Sequence, residues 1–265
     1  MIGSNEMKYN YHTHTSRCNH ADGSDEEYVL KAIEAGFDEI GFSDHTPWPY
    51  KGFVSTMRMR EEELASYVKS IKSLREKYSD KISIKLGLEC EYFKEYIPWL
   101  REVIDKYELD YVILGHHFTP NEQYGVYNGF PSCAQDLINY KNEIIEAVDT
   151  GLFSYIAHPD LFMRGYTSFD KTARKISKEI ILKSIEADVP IEYNLMGVLH
   201  SQAMGREGYP YGEFWKMAGE LGATAVIGID AHSPDSYTDY ERYRKAEETL
   251  KAYGVKLTDK IKFLR

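Results

Sequence analysis

The stretch Tyr11–His20, YHTHTSRCNH, places His12, His14 and His20 within nine residues. The residues just upstream, KYNY, suggest a strand ending here. Side chains alternate faces along a strand, so His12 and His14 would point the same way, about 7 Å apart. Two neutral imidazoles on one face, with a third returning from the loop, make a donor set suited to a divalent metal ion. A polar strand end with incidental histidines is the competing reading, and the rest of the chain decides between them.

The pattern recurs along the chain. Candidate strands are Lys8–His12, Asp38–His45, Ile82–Glu89, Asp110–His117, Ser154–Pro159, Pro190–Asn194 and Ala223–Asp230. Helical periodicity falls between and after them, at Asp25–Ala35, Glu61–Tyr78, Tyr96–Tyr107, Ala134–Thr150, Thr172–Ala187, Tyr211–Leu221 and Tyr240–Tyr253. The first helix opens on DGSDEE, a capping sequence with acidic residues in its first turn. Gly36, Gly151, Gly222 and Gly254 stand where helix C-caps belong. Regular strand–helix alternation predicts an α/β protein with a parallel sheet, either a barrel or a doubly wound sheet. No repeat, linker or low-complexity tract divides the chain, so residues 1–265 read as one domain.

Histidines and acids follow the strand ends. His45, His116, His117 and His158 close strands, His232 lies just past the last one, and Glu89 and Asp230 close two more. In a parallel barrel these ends converge on one rim, the C-terminal face where barrel enzymes hold their chemistry. Scattered surface histidines would have no reason to track strand ends, so the metal reading prevails. Seven such histidines and two carboxylates exceed one tetrahedral site, and imidazole favours Zn, Fe or Mn over Ca or Mg. Two or three divalent transition ions are expected. Cys18 reads as a small loop residue rather than a ligand.

Bulk properties narrow the class. The chain has 265 residues, 43% apolar, with net charge -10 and mean hydropathy -0.49. The acidic balance argues against a broad nucleic-acid surface. It does not exclude an anionic small substrate, because bound cations can reverse a local field. No apolar run of about 18 residues is present to span a membrane. The opening MIGSNEMKYN lacks a basic stretch followed by an apolar one, so no secretory signal is expected. Three widely spaced cysteines make a disulfide framework improbable, and a cytoplasmic location is expected.

From YHTHT to IDAH the chain resembles the PHP (polymerase and histidinol phosphatase) family, most closely its histidinol-phosphate phosphatase branch. The motifs appear in order: His12 and His14, the loop His20, Asp44–His45 in FSDHTP, Glu89 in LGLE, LGHHF, His158 in AHPD, and Asp230 and His232 in IDAH. The resemblance implies a distorted (β/α)7 TIM-like barrel with a trinuclear centre. One ion would take His12, His14, Glu89 and Asp230. A second would share Glu89 and add His158 and a histidine of LGHHF. A third would take His20, His45 and His232. In the family that LGHHF ligand is usually followed by an aromatic, which points to His117 before Phe118 and leaves His116 behind it.

The implied activity is a metal-dependent phosphomonoesterase acting on L-histidinol phosphate in histidine biosynthesis, with attack by a metal-bridging hydroxide. Another small phosphate ester or a nucleotide is the alternative, because a metal motif does not read the leaving group. Arg164 in HPDLFMRGY and Arg206 in SQAMGREGYPY resemble phosphate-binding arginines of that branch. Asp160 would orient a ligand or protonate the leaving alkoxide, support being the preferred role. Three long connections, Thr46–Arg60, Phe118–Cys133 and Leu195–Pro210, are expected as binding loops or surface excursions. Lys51, Arg58 and Arg60 are expected as solvated lid charges, and His200 as a loop histidine. Tyr50, Phe53, Tyr124, Tyr127 and Phe130 would wall in a substrate or simply pack the loops. Partners beyond a small phosphate ester are not implied.

Overall fold

A computed structural model of the chain describes residues 7–264; the first six residues and Arg265 lie outside the described residues, and with them much of the segment read for a secretory signal. Four parallel strands come first: β1 (Tyr9–Asn10), β2 (Glu39–Phe42), β3 (Ser83–Cys90) and β4 (Tyr111–Leu114) pair in sequence order. A two-residue hairpin, β5 (Phe118–Thr119) with β6 (Val126–Tyr127), rises from the connection after β4. A second parallel group follows, β7 (Ile191–Asn194), β8 (Thr224–Gly228) and β9 (Lys256–Leu257). Isolated bridges join the groups: Leu114 and Ile191 both pair Ile156, and Thr13 pairs Ala231. The result is a curled parallel sheet in a mixed α/β fold.

Among the described residues eight α-helices accompany it: α1 (Asp25–Glu34), α2 (Leu64–Lys77), α3 (Ile97–Tyr107), α4 (Ala134–Asp149), α5 (Lys171–Glu186), α6 (Leu195–Met204), α7 (Gly212–Leu221) and α8 (Tyr240–Ala252). Ser24 caps α1 in a reciprocal box with Glu27, as the DGSDEE sequence leads one to expect. The helix α6 replaces most of the third expected loop. Its start is set by the Asn194 side chain, which accepts from Gly197 N at 2.7 Å. The fifth expected strand shrinks to the bridges at Ile156, because the backbone leaves the extended region at His158, where φ is 31°.

Alternation along each strand separates two cores. In β3, Ile84, Leu86, Leu88 and Cys90 belong to the large cluster between sheet and helices. Tyr11, Tyr111, Ile113, Tyr155, Val226 and Ile261 form a second cluster inside the curl. The Tyr111 hydroxyl donates to Tyr11 O at 2.9 Å or Phe42 O at 3.0 Å, tying three strands together below the rim. The period of two that buries Leu88 outward turns Glu89 inward, above this plug.

Candidate metal centre

Glu89 is the hub. Its Oε1 lies 2.9 Å from His158 Nε2, 3.4 Å from His12 Nε2 and 3.5 Å from His117 Nε2. Its Oε2 lies 2.9 Å from His45 Nδ1 and 3.4 Å from His14 Nε2. Asp230 Oδ1 approaches His14 Nε2 at 3.2 Å, and His12 Nε2 and His232 Nδ1 each at 3.4 Å. His20 and His232 meet through their Nε2 atoms at 3.0 Å. Every expected metal residue therefore falls in one cluster, buried except at its outer edge, where His232 is half-buried and His20 is exposed. His116 does not join it: its Nδ1 accepts from Tyr92 N at 3.2 Å, and its Nε2 meets Glu143 at 2.8 Å.

The fit to cations rests on what these atoms lack. His12 Nε2, both ring nitrogens of His14, His45 Nδ1, His158 Nδ1 and Glu89 Oε2 are buried and, although they crowd one another, none makes a hydrogen bond of acceptable geometry. Leaving one such group unsatisfied costs about 1–3 kcal/mol. Several converging on one carboxylate make sense as a ligand set. Close groups of potential donors include His12, His14 and Glu89; His12, His158 and Asp230; and His14, His45 and His232. Cys18 approaches His20 and His232 in one further group, although it was expected to be only a loop residue.

The charge balance agrees. Burial alone would depress His14, but Asp230, Asp44 and Glu89 outweigh it and raise the ring to about 9. Burial and a charged His14 push His45 well down and His232 to about 3. Despite burial, the rings around them hold Glu89 and Asp230 well below the usual carboxylate range. Two fixed negative charges thus face rings that cannot all be protonated, which a divalent cation resolves.

Local structure supports this convergence. His158 and Asp230 have φ of 31° and 53°, a left-handed strain of about 1–3 kcal/mol each that is common at functional sites. A Cβ on Gly115 would collide with Glu89 Oε1, and one on Gly228 with Glu192 Oε1, so glycine makes room for both acids.

Three further acids, which the sequence reading does not single out as site residues, stand behind the rings. Glu192 meets His12 Nδ1 at 2.7 Å, Glu91 meets His117 Nδ1 at 3.2 Å, and Asp44 Oδ1 stands 3.6 Å from His14 Nδ1. Asn194 donates to Asp230 Oδ2 at 3.1 Å. The signal for Glu192 was available: in PIEYN, Ile191 and Tyr193 take the outer face, which sends Glu192 and Asn194 inward.

A cavity of about 360 Å³ opens on the cluster, walled also by Met57, Tyr127, Arg164, Met196, His200 and Tyr209. Arg164 Nη1 donates to Tyr127 OH at 3.0 Å while its buried Nε has no partner. Arg206 lies outside that wall, with its guanidinium on Arg164 O and Glu207 O. Asp160 is also off the wall: it is buried and accepts from Tyr211 N at 2.7 Å and Trp215 Nε1 at 3.0 Å. His200 belongs to α6, and its Nδ1 meets Tyr209 OH at 3.0 Å. Of the five loop aromatics only Tyr127 reaches the cavity; Tyr124 and Phe130 are largely exposed. Arg58 is not a solvated lid charge: it is 2% exposed, because Glu91 and Glu122 neutralise it inside the protein.

The model of the PHP domain family matches residues 10–195, well over half of the chain. The chain belongs to the PHP family. That span holds His12 through Glu192, and Asp230 and His232 lie beyond it. A probable histidinol-phosphatase of Deinococcus radiodurans is 26% identical over 229 residues, covering 84% of this chain and 85% of that one. The histidinol-phosphatase of Bacillus subtilis is 31% identical over 122 residues, 42% of this chain and 44% of its own. Among solved structures, a Lactococcus lactis histidinol phosphate phosphatase, complexed with zinc, L-histidinol and phosphate, superposes with a TM-score of 0.73. It is 22% identical and the match covers 96% of this PHP chain and 98% of the other, which speaks for a shared fold. Among the described residues no helix is long and apolar enough to cross a membrane.

Proposed function

We propose that this PHP chain is a metal-dependent phosphomonoesterase that hydrolyses L-histidinol phosphate to L-histidinol and phosphate. The observation that carries the reading is the meeting, in one cavity, of unpartnered buried imidazole and carboxylate atoms with the unpartnered Nε of Arg164. The relatives named as histidinol-phosphatases, matched over most of their length, support this substrate. Within this reading the sheet is a distorted seven-position barrel, with Ile156 as its fifth strand, and the chain is a single domain working in the cytoplasm.

His12, His14, Glu89 and Asp230 would hold one ion, Glu89, His117 and His158 a second, and His20, His45 and His232 a third, with zinc the first candidate. Bound divalent cations would lower the pKa of an attacking water and offset charge on the phosphoryl oxygens. The protein's own work is placement. Glu192, Glu91 and Asp44 face the Nδ1 side of His12, His117 and His14, which orients the opposite nitrogen toward the acids. Arg164, steadied by Tyr127 and by the Phe130 ring 5.2 Å away, would grip the phosphate through its planar fork. Arg206 would act beneath it, holding the Arg164 backbone and joining the phosphate only if its side chain turns inward. Asp160 is a positioning residue in this scheme, bracing the start of α7 beside His158.

The deciding test is phosphate release by the metal-loaded protein from L-histidinol phosphate and a panel of other phosphate monoesters. Preferential hydrolysis of L-histidinol phosphate is expected. Activity confined to other esters would overturn the substrate, and none on any ester would overturn the reaction class.

A further inference from the structure

The connection after β2 carries a guanidinium into the interior, where the sequence led us to expect a solvated charge. Arg58 donates four hydrogen bonds there: Nη1 to Thr46 O at 2.9 Å and to Glu91 Oε2 at 3.0 Å, Nη2 to Glu91 Oε1 at 2.7 Å, and Nε to Glu122 Oε2 at 2.8 Å. Trp48 Nε1 adds a bond to Glu91 Oε2 at 2.7 Å. On its far side Glu91 Oε1 meets His117 Nδ1 at 3.2 Å. The carboxylate that faces His117 is therefore itself gripped by a two-pronged fork and an indole.

This arrangement does more than neutralise a charge. Burying an ion pair gains little stability over packing apolar groups in the same space. What the pair does supply is orientation. Oε1 of Glu91 is shared between Arg58 Nη2 and His117 Nδ1, so any rotation of the carboxylate moves the imidazole. Glu122 lies in the connection after β4 and also receives Ser55 Oγ and Tyr50 OH. The same guanidinium thus pins both loops at the cavity mouth to Glu91.

We propose that Arg58 is a positioning residue of the metal centre: through Glu91 it fixes the ring plane and tautomer of His117, and through Glu122 it couples that ring to the two mouth loops. A lysine could supply the charge but not the paired, coplanar donors. The inference rests on His117 being a ligand, as proposed above.

The test is metal retention by the full chain. Wild type, His117→Ala, Arg58→Met and Arg58→Lys are loaded with zinc, dialysed against a graded series of chelator and analysed for bound ions, with thermal unfolding followed in parallel. His117→Ala is expected to lose one ion, and Arg58→Met to release that same ion at about tenfold lower chelator, as an outer partner's loss usually does. Arg58→Lys should fall nearer Arg58→Met than wild type, even where it restores thermal stability, because charge alone does not orient Glu91. If His117→Ala loses no ion, the ligand assignment fails. If His117→Ala loses one while Arg58→Met releases its ions with the wild-type profile, the role of Arg58 fails alone. Should Arg58→Met not fold, Arg58→Lys decides: a wild-type release profile with lysine would overturn the proposal.

Discussion

Glu192 on β7 and His12 just past β1 are far apart in sequence, yet the Glu192 carboxylate meets His12 Nδ1 at 2.7 Å in a fully buried pair. Tying Nδ1 to that acid leaves Nε2 with its lone pair on the side facing Glu89 and Asp230. Glu192 also accepts from His158 N at 3.1 Å and from Asn194 at 2.9 Å. One carboxylate thus orients two candidate ligands. Glu192→Ala is expected to weaken metal retention about 10–100-fold, the usual loss when such a partner is removed. Chelator competition measures it, and unchanged retention would mean that packing alone orients His12.

Gly115 sits beside the hub. Its N–H donates to Cys90 O at 2.9 Å, so the backbone cannot withdraw without breaking the pairing of β3 with β4. A methyl there would collide with the Glu89 carboxylate. Gly115→Ala should cost about 1–3 kcal/mol of stability through overpacking. Phosphate release should fall more steeply, about a hundredfold, because a displacement near 1 Å is enough for that. Thermal unfolding and steady-state assays separate the two effects; a stable variant with full activity would show that Glu89 can sit elsewhere.

What the sequence disclosed, and what it hid, follows from how each residue is placed. His12, His45, Glu89 and Asp230 were legible because strand ends in a parallel sheet share a rim, so position in the chain translates into position in space. His117 needed the aromatic that follows it in the family, and its choice over His116 agrees with His116 turning back to Tyr92 N and Glu143. Glu192 could be read from the alternation in PIEYN, but Glu91 was illegible for a different reason. Glu91 and Arg58 are charged residues whose burial depends on each other, and neither one's surroundings signal the partner 33 residues away. The helix α6 was hidden because LMGVLHSQAM is apolar nearly all round and carries no amphipathic stripe.

The two arginines should separate cleanly. Arg164 lines the cavity and has an unpartnered buried Nε, whereas Arg206 is exposed and turned onto the Arg164 backbone. Arg164→Ala is expected to raise KM for a phosphate ester and the inhibition constant of inorganic phosphate together, by roughly 10–100-fold, about the 1.5–3 kcal/mol of a charged hydrogen-bonding partner. Arg206→Ala should have a smaller effect, within about tenfold. Equal losses in initial-rate measurements would show that Arg206 swings inward when phosphate binds.

Metal loading should be coupled to protons in a defined direction. Asp230, Asp44 and Glu89 raise His14 to about 9 against the pull of burial, so at neutral pH a cation must displace a proton from that ring. His45 and His232 are pushed the other way and already offer lone pairs. Glu89 and Asp230 are held ionised. The competing protons therefore sit on raised rings such as His14, and metal affinity should climb with pH, about tenfold per unit for each displaced proton, levelling off as pH passes about 9. Protonation would weaken binding only in acid, below the usual carboxylate range of about pH 4, if the carboxylates were the groups that titrate. Chelator competition between about pH 6 and pH 10, corrected for the chelator's own protons, distinguishes these. A flat profile across neutral pH would mean that His14 is not the proton-bearing ligand.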